Sequence, residues 1–458
     1  MLIVTLIIVA ILLLGCVLMS TEHINRLNRA SVAIFCGVAV WVLYMVHGGD
    51  YLRLMHNAEY QEFLGGAVST FDTVREFVGN NVIVRYITEA CAVILFLIAT
   101  NTIVEVMNNN GVFDSLVKWL RMRSSRKFLW VISILTFIIS TNFDNLTTVV
   151  LMLTILRRIV SSHYQRTVYA CVIMISATLG GACTVIGDMT SLMLWVRGVV
   201  TASEFSAGLL LPSLASLCVV NLLTTKLLIG KVEVVSALNM YRGDDSVLSR
   251  WQKIMILIVG VGGLWAIPTF KMMTNFPPFL GAFCVLACIW IIEGIFNWQR
   301  NGNVFLFHKE YLKDSEFISM RIILYYIGVT LSIGVLNECG ALSYLGAVLD
   351  KYVHNVYVYG VISGILSTFL DNVPCVMAGM NLFEVSADIS SDFAINGLYW
   401  QLLAYCSAVG GMTLLFGSLA GHSVMQIDKL KYSWFCRHMI WRIAVSWGVG
   451  LFVFWLIH

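Results

Sequence analysis

The sequence predicts an all-α polytopic membrane protein, because its composition is strongly apolar, its apolar blocks recur regularly and its two halves share motifs. Apolar residues make up 59% of the 458 positions and charged residues only 12%. A soluble domain is about 45–50% apolar and about 25% charged, so the soluble, disordered and collagenous classes are excluded. Lys and Arg (29) nearly balance Asp and Glu (26). The expected partner is therefore the lipid bilayer and not nucleic acid.

Apolar blocks of about the length of a membrane-spanning helix follow one another along the chain. Two of them, 128–160 and 355–383, are interrupted near their centres by polar residues. The arms on either side are short, as is typical of re-entrant hairpins. The blocks are 2–19, 30–47, 87–107, 128–160, 167–196, 206–229, 252–272, 279–298, 318–337, 355–383, 397–427 and 435–457.

The hairpins determine the predicted topology. If each hairpin returns to its own side, each half makes five crossings, and the odd number inverts the second half. We therefore expect two inverted repeats, 1–230 and 252–458, each with five crossings, a re-entrant hairpin and a broken helix, joined by a cytoplasmic linker at 231–251. With the N-terminus outside, most Lys and Arg residues fall in cytoplasmic loops and segment ends, as the positive-inside rule requires. Both termini are predicted to lie outside.

The strongest signal is an internal repeat at the two hairpin centres. They read STNFDNLT from Ser140 and STFLDNVP from Ser367, 227 residues apart. The following blocks also match, with LGGACTVIGD from Leu179 and VGGMTLLFGS from Val409. Motifs that recur in the same order at nearly constant spacing indicate a duplication.

The repeated Asp-Asn pairs predict the chemistry. Asp144 and Asp371 fall near the bilayer midplane if the hairpin arms are helical. A buried carboxylate either takes a proton or binds a cation, and neighbouring amides and hydroxyls add the oxygen ligands that hard cations prefer. Na⁺ or Li⁺ is therefore expected at Asp144, Asn145, Asp371 and Asn372.

Further candidates stand close to these motifs. The matched glycines of the repeat would permit an unwound stretch around an ion, although small residues within membrane spans are commonly close-packing sites, and without the repeat packing would be the favoured interpretation. One candidate, Glu105, lies near a helix end where its side chain could reach the interface. The 12 cysteines are dispersed without CxxC pairs and predict packing residues; no cofactor is expected. The further candidates are Thr141, Thr148, Glu105, Thr368, Gly180, Gly187, Gly410 and Gly417.

Five segments carry a family resemblance: TIVE from Thr102, STNFDNLTTVV from Ser140, GGACTVIGDMTSLMLW from Gly180, LDNVP from Leu370 and LAYCSAVGGMTLLFGSLAG from Leu403. Together they resemble the NhaD family of bacterial sodium/proton antiporters, within the ion-transporter superfamily. The resemblance implies opposed hairpins and broken helices around the substrate site, a bacterial inner membrane and, by analogy, a homodimer. It also implies a cation and proton pathway formed by Asp144, Asn145, Asp188, Thr190, Ser367, Asp371, Asn372 and Ser418.

The expected function is therefore secondary antiport, not enzyme catalysis, with cytoplasmic Na⁺ or Li⁺ exchanged for external H⁺. Competition of proton and cation for one carboxylate would supply the coupling. One alternative of the same fold is transport of an anion such as a dicarboxylate or arsenite, which an Asp at each hairpin tip disfavours. Another is an aspartyl intramembrane protease using Asp144 and Asp371. The Gly-x-Gly-Asp signature of such proteases is not complete here, because Val185 stands at the position of its first Gly.

Overall fold

The computed structural model of the chain is almost entirely helical. It describes residues 1–120, 122–228, 230–234, 248–301, 315–385, 391–415, 417–428 and 430–458. Across this part of the chain there is no β-strand; two isolated bridges join Ser124 to Lys231 and Val160 to Val234. The all-α class is confirmed, while most of the predicted linker 231–251 lies outside the described residues.

The long helices of the first half follow the predicted apolar blocks. They are α1 (Leu2–Ser20), α2 (Arg29–Tyr44), α3 (Val84–Asn109), α4 (Ser125–Ser140), α5 (Asn145–Ile159), α6 (His163–Ala182), α7 (Met189–Arg197) and α8 (Ala202–Thr225). The arms of the first predicted hairpin are α4 and α5, of 16 and 15 residues. At 1.5 Å per residue each is about 24 Å long or less, shorter than the roughly 30 Å hydrocarbon core.

The second half repeats this order of elements. Its helices are α9 (Arg250–Thr274), α10 (Pro278–Asn301), α11 (Ser315–Glu338), α12 (Val356–Leu370), α13 (Asn372–Gly379), α14 (Leu398–Thr413), α15 (Leu419–Asp428) and α16 (Ile440–Ile457). The second predicted hairpin is α12 with α13, and the second broken helix is α14 with α15. The break between α12 and α13 is the single residue Asp371, which has φ 81° and ψ 152°.

Short helices fill the connections between the long ones. The α-helical ones are Glu22–Asn25, Gly48–Met55, Asn57–Leu64, Phe71–Phe77, Asp114–Trp119, Ala341–Tyr352 and Tyr432–His438. Met45–His47 and Ser391–Phe393 are 3₁₀ turns, and Val78–Ile83 is a π-helical turn that continues into α3.

The chain is a multi-pass membrane protein. Within the described residues, eight helical stretches are long and apolar enough to cross a membrane, apart from the hairpins and broken helices. Those stretches are Leu2–Ser20, Arg29–Met55, Phe71–Asn109, Ala202–Thr225, Arg250–Thr274, Pro278–Phe296, Met320–Glu338 and Ile440–Ile457.

Contacts between helices in one half have counterparts in the other. The α2 helix packs along α11, and the matching pair α10 and α3 also pack together. Within each half, the first arm of the hairpin lies against the first part of the broken helix, α4 on α6 and α12 on α14. The last helices of the two halves, α8 and α16, pack on each other. This correspondence is what duplicated halves produce; the inversion of one half relative to the other stays a prediction.

Matched glycines allow the broken helices to approach the hairpins closely. A Cβ added to Gly180 in α6 would overlap the carbonyl oxygen of Phe137 in α4. A Cβ on Gly410 in α14 would likewise overlap the carbonyl oxygen of Gly364 in α12. Phe137 and Gly364 are 227 residues apart, the same spacing as the hairpin motifs. These contacts support the close-packing interpretation of the two glycines, and their predicted part in an unwound stretch around an ion stays a prediction.

We expect Gly410→Ala to destabilise the protein strongly, because the added methyl group meets a rigid backbone carbonyl. Overpacking of this kind costs about 1–3 kcal/mol. Gly262→Ala in α9 is the matched control, since nothing lies within 4 Å of a Cβ at that helical position. Thermal unfolding in detergent should show a clear fall for the first variant and little change for the second. Equal shifts would contradict the packing assignment.

Residues 48–86, which match no motif, fold against α1, α2 and the end of α11. Tyr51, Tyr60 and Phe77 are buried in a separate hydrophobic cluster there. The segment is also tied to α11 by polar contacts: His56 Nε2 lies 2.7 Å from Glu338 Oε2. The Tyr86 hydroxyl donates to the other Glu338 oxygen at 2.7 Å.

This His–Glu pair makes a pH-dependent contribution to stability. The hydrogen bond to Glu338 raises the pKa of His56 above its ordinary value. When folding raises the pKa of a group, protonation stabilises the fold. This stabilisation is fully present below the unfolded-state pKa and is lost as the pH rises through the folded-state pKa. Glu338→Gln should therefore cost about 1–2 kcal/mol in acid and less at alkaline pH. Thermal unfolding of this variant and of the control Glu62→Gln, a change at an exposed position, is measured from pH 5.5 to 9. A difference in unfolding temperature between the two variants that does not change with pH would contradict the prediction.

Candidate functional site

The beginnings of four helices, α5, α7, α13 and α15, meet at one small cavity. Two of these helices are hairpin arms and two are second parts of broken helices. The cavity has about 20 Å³ of free space, room for about one water molecule or a small ion. Its polar lining consists of Asn101, Asp144, Asn145, Asp188, Asn372 and Ser418. Five of the residues predicted from sequence therefore lie around a single space.

A polar side chain precedes each of these helices: Asp144, Asp188, Asp371 and Ser418, in chain order. Asp144 Oδ2 accepts from the backbone N–H two residues later at 3.1 Å. Ser418 Oγ accepts from the N–H three residues later at 3.1 Å. The positive end of a helix dipole stabilises a negative charge, which offsets part of the cost of burying these carboxylates. A carboxyl group therefore stands at the N-terminus of three of the four helices.

Asp188 is held by two side chains of the first half. Asn145 donates from Nδ2 to Asp188 Oδ1 at 2.8 Å, and the Thr190 hydroxyl donates to Asp188 Oδ2. Asp188 and Asp144 are both buried, at 2% and 7% exposure. Both carboxylates face the same cavity across the break of the first hairpin and the break of the first broken helix.

Asp371 has different surroundings and is not part of the cavity lining. Its Oδ2 lies 3.4 Å from Arg29 Nη1 and accepts from the Tyr325 hydroxyl at 3.0 Å. Its Oδ1 accepts from the backbone N–H of Asn372 at 2.7 Å. Of the second hairpin pair, only Asn372 reaches the cavity. The expected cation ligation by Asp371 stays a prediction, and its pairing with Arg29 points to another role.

The two matched serines of the hairpins bond to backbone carbonyls of the broken helices. Ser140 Oγ donates to the carbonyl oxygen of Ala177 at 2.7 Å. Ser367 Oγ donates to that of Ser407 at 2.6 Å. Each serine therefore fastens a hairpin to its broken helix and does not line the cavity.

The remaining candidates lie away from the cavity lining. The hydroxyl groups of Thr141, Thr148 and Thr368 donate to backbone carbonyls within their own hairpins. A Cβ on Gly187 or Gly417 would overlap carbonyl oxygens, that of Ser140 for the first and that of Gly411 for the second. Glu105 is half-buried on α3, one turn beyond the cavity residue Asn101. Their predicted membership of the ion pathway stays a prediction.

Three polar residues near the site were not singled out from the sequence: Arg29, Asn101 and Tyr325. Asn101 lines the cavity, and its Oδ1 accepts from the Thr147 hydroxyl at 2.6 Å. A polar amide in the middle of the apolar block 87–107 was an available signal for this residue. Arg29 was interpreted only as a cytoplasmic charge. The repeat also pairs Gly111 with Gly340, 229 residues later, and at this spacing Tyr325 carries a hydroxyl where the first half has Phe96.

The arrangement suits one small cation. Two buried carboxylates that face one small cavity repel each other when both are ionised, so a proton or a cation is favoured there. Amide and hydroxyl oxygens nearby are ligands of the kind that hard cations accept. The geometry therefore provides a place where proton and cation exclude each other.

Comparisons with known proteins agree on a transporter. "Sodium/proton antiporter 2" of Arabidopsis thaliana is 28% identical over 81% of this chain and 86% of its own length. "Sodium/proton antiporter 1" of the same plant is also 28% identical, over 95% of this chain and 70% of its own. The "Na(+)/H(+) antiporter NhaD" of Vibrio parahaemolyticus is 26% identical over 79% of this chain and 88% of its own. These similarities confirm the resemblance to NhaD antiporters.

A family model covers most of the same region. The model described as "CitMHS: Citrate transporter" matches residues 16–410, which include both hairpins, the first broken helix and most of the helix before the second break. Because this match extends over far more than half of the chain, the protein belongs to the CitMHS citrate transporter family.

Proposed function

We propose that this protein is a secondary transporter that exchanges Na⁺, or Li⁺, for H⁺ at the cavity between the hairpins and the broken helices. The observation that carries the proposal is that Asp144 and Asp188 face one space of about 20 Å³. The names of the relatives, sodium/proton antiporters from a plant and from a bacterium, support the same substrates. The proposed ligands are Asp144, Asn145, Asp188, Asn372 and Ser418, with Thr190 and Asn101 in support.

Coupling follows from mutual exclusion at this cavity. A cation between Asp144 and Asp188 is stabilised only when their carboxylates are ionised, and protonation removes that attraction. The two ligands therefore displace each other, and alternate exposure of the cavity to the two sides of the membrane converts the displacement into exchange. This exchange forms no covalent intermediate, as expected for a transporter that is not an enzyme.

The family description names citrate, so anion transport is the second candidate. Helix beginnings directed at one cavity are a setting that favours anions in general. Here the helix ends before α5, α7 and α13 are occupied by the protein's own carboxylates. A cavity with room for about one water molecule is also much smaller than citrate. Both facts favour a cation.

The aspartyl protease alternative requires two carboxylates that face a common substrate. Asp144 faces the cavity, whereas Asp371 is paired with Arg29. This separation supports transport over proteolysis.

The proposed membrane arrangement follows the sequence. Two inverted repeats, 1–230 and 252–458, would place the hairpins on opposite faces of a bacterial inner membrane, with both termini outside. Cytoplasmic Na⁺ would leave as external H⁺ enters, and a homodimer is proposed by analogy only. Asp428 at the end of α15 forms two ionic contacts: its Oδ1 lies 3.4 Å from Arg157 Nε near the end of α5 and 3.7 Å from Arg166 Nε near the start of α6. These contacts support placing the three helix ends on one face of the membrane.

The test is transport by the purified protein in sealed vesicles with a preset pH gradient. We expect Na⁺ or Li⁺ to collapse the gradient between pH 6 and 9, while K⁺ and citrate leave it unchanged. Collapse by citrate alone would favour the anion candidate. No response to Na⁺ or Li⁺ anywhere in this range would overturn the proposal.

A further inference from the structure

The second hairpin contains a buried ionic cluster that the proposed exchange does not use. Arg29, the first residue of α2, lies between three partners from distant parts of the chain. Its Nη1 is 3.4 Å from Asp371 Oδ2, its Nε is 2.9 Å from Glu22 Oε2, and its Nη2 is 2.7 Å from Nδ1 of His422. The side chains of Arg29 and Asp371 are each only 6% exposed.

The surroundings satisfy both oxygens of Asp371. The Tyr325 hydroxyl and Arg29 bond to Oδ2, and the backbone N–H of Asn372 bonds to Oδ1. The matching carboxylate of the first half, Asp144, has a backbone partner at Leu146 and faces the cavity. The two hairpin carboxylates therefore have different surroundings. Asp144 faces the cavity, whereas Asp371 is paired with Arg29.

The backbone of Asp371 agrees with this fixed role. Its φ of 81° with ψ of 152° is a conformation that is rare for any residue with a side chain. Asp144 has an ordinary φ of −49°. Strained residues of this kind persist only where several contacts determine their position, and Arg29, Tyr325 and Asn372 supply those contacts.

We propose that Arg29 is a built-in counter-ion that neutralises Asp371, excludes Na⁺ from the second-half carboxylate and so confines cation exchange to Asp144 and Asp188. Guanidinium is less strongly hydrated than a compact ammonium ion and matches the planar carboxylate. Being part of the chain, Arg29 is always present beside Asp371, whereas Na⁺ must be drawn from dilute solution. Displacement of Arg29 by Na⁺ would also break the buried Arg29–Asp371 ion pair, and breaking a buried ion pair is unfavourable.

This inference rests on the proposed function and is tested by removing the two charges separately and together. Arg29→Gln and Asp371→Asn should each lower Na⁺-driven exchange by about tenfold or more. The first change leaves the buried Asp371 carboxylate without its cation, and the second leaves Arg29 with Glu22 as its remaining carboxylate partner in the cluster. Asn has nearly the size and shape of Asp, so the second change leaves the demands on the backbone at this position nearly unchanged. The double variant Arg29→Gln/Asp371→Asn should recover to within about threefold of the native rate, because both charges of the buried pair are removed together. Glu22 loses Arg29 as well, but its side chain is 25% exposed and keeps His422 Nε2 at 3.4 Å.

Two controls make the recovery specific. Arg29→Gln/Asp144→Asn should stay inactive, because Asp144 is not the partner of Arg29. Arg29→Lys, which keeps the charge, should retain more exchange than Arg29→Gln. Thermal unfolding of the same variants in detergent should follow the same order for the Arg29–Asp371 pair, with both single variants less stable than the double variant.

The outcomes separate this inference from the proposed function. If the native protein exchanges Na⁺ and the double variant is as inactive as Asp371→Asn, Asp371 is itself a cation ligand and the inference is wrong. If the native protein does not exchange Na⁺ at all, the proposed function fails, and unfolding temperatures alone decide whether Arg29 and Asp371 compensate each other. Additive losses of stability in the double variant would then overturn the pairing.

Discussion

Asp144→Asn should reduce Na⁺-driven exchange by at least about 100-fold while leaving the protein folded in the membrane. Asn keeps the size of the side chain, and its oxygen can still accept the backbone N–H of Leu146 that caps α5. It cannot ionise, so the cavity loses one of the two carboxylates that attract a cation and take up a proton. The measurement is collapse of a preset pH gradient in vesicles.

Asp114→Asn is the matched control for this variant. The same chemical change occurs there on a partly exposed side chain paired with Arg158 at 3.4 Å, where an ion pair contributes little. Its exchange should be close to that of the native protein. Near-native exchange by Asp144→Asn, at equal amounts of protein in the vesicles, would exclude Asp144 from the mechanism.

The second large effect is expected at Asp188. Asp188→Asn removes a negative charge from the cavity and places an amide where Asn145 and Thr190 both donate. We expect the apparent Na⁺ affinity to fall by about tenfold or more, since charged hydrogen-bonded groups contribute about 1.5–3 kcal/mol. The competition between H⁺ and Na⁺ should also weaken, so that this affinity varies less with pH.

Ser418→Ala is the comparison from the second half, because Ser418 occupies the position that matches Asp188. It loses one neutral helix cap on Gly421, worth about 1 kcal/mol, and no charge. Apparent Na⁺ affinity measured for both variants at several pH values distinguishes them. Small and equal effects would mean that Asp188 has only a structural role.

These predictions share an asymmetry between the halves. The two hairpins and two broken helices have the same order and the same serine and glycine contacts, yet two of the three buried Asp residues at the helix beginnings belong to the first half. The third, Asp371, is compensated by Arg29. The first half therefore supplies the charge of the proposed site, and the second half supplies Asn372 and Ser418 to complete its shape.

The sequence predicted the elements of the fold well, because each depends on local pattern. The apolar blocks predicted the long helices, and the two Asp-Asn motifs predicted the breaks of the hairpins before Asn145 and Asn372. The constant spacing of the repeat also predicted correspondences that the structure contains, such as Ser140 with Ser367. The polar residues inside the interrupted apolar blocks predicted Asp144, and the family resemblance added Asp188 and Ser418, which also lie around the cavity.

The ionic cluster could not be predicted in the same way. Arg29 and Asp371 are 342 residues apart, and no local periodicity connects an arginine at a helix start with the break of a distant hairpin. Tyr325 lies within an apolar block where an aromatic residue is typical of packing. For the same reason residues 48–86 had no interpretation, since their attachment through His56 depends on Glu338 at the end of α11.

The central claim is that Na⁺ and H⁺ compete for the Asp144 and Asp188 carboxylates, and proton release on Na⁺ binding measures this directly. Purified protein in weakly buffered detergent solution is titrated with Na⁺ near neutral pH while the pH is recorded. We predict that Na⁺ releases protons from the native protein, that the double variant Asp144→Asn/Asp188→Asn releases none, and that an equal concentration of K⁺ has no effect. Na⁺ binding without proton release by the native protein, or unchanged release from the double variant, would contradict the account.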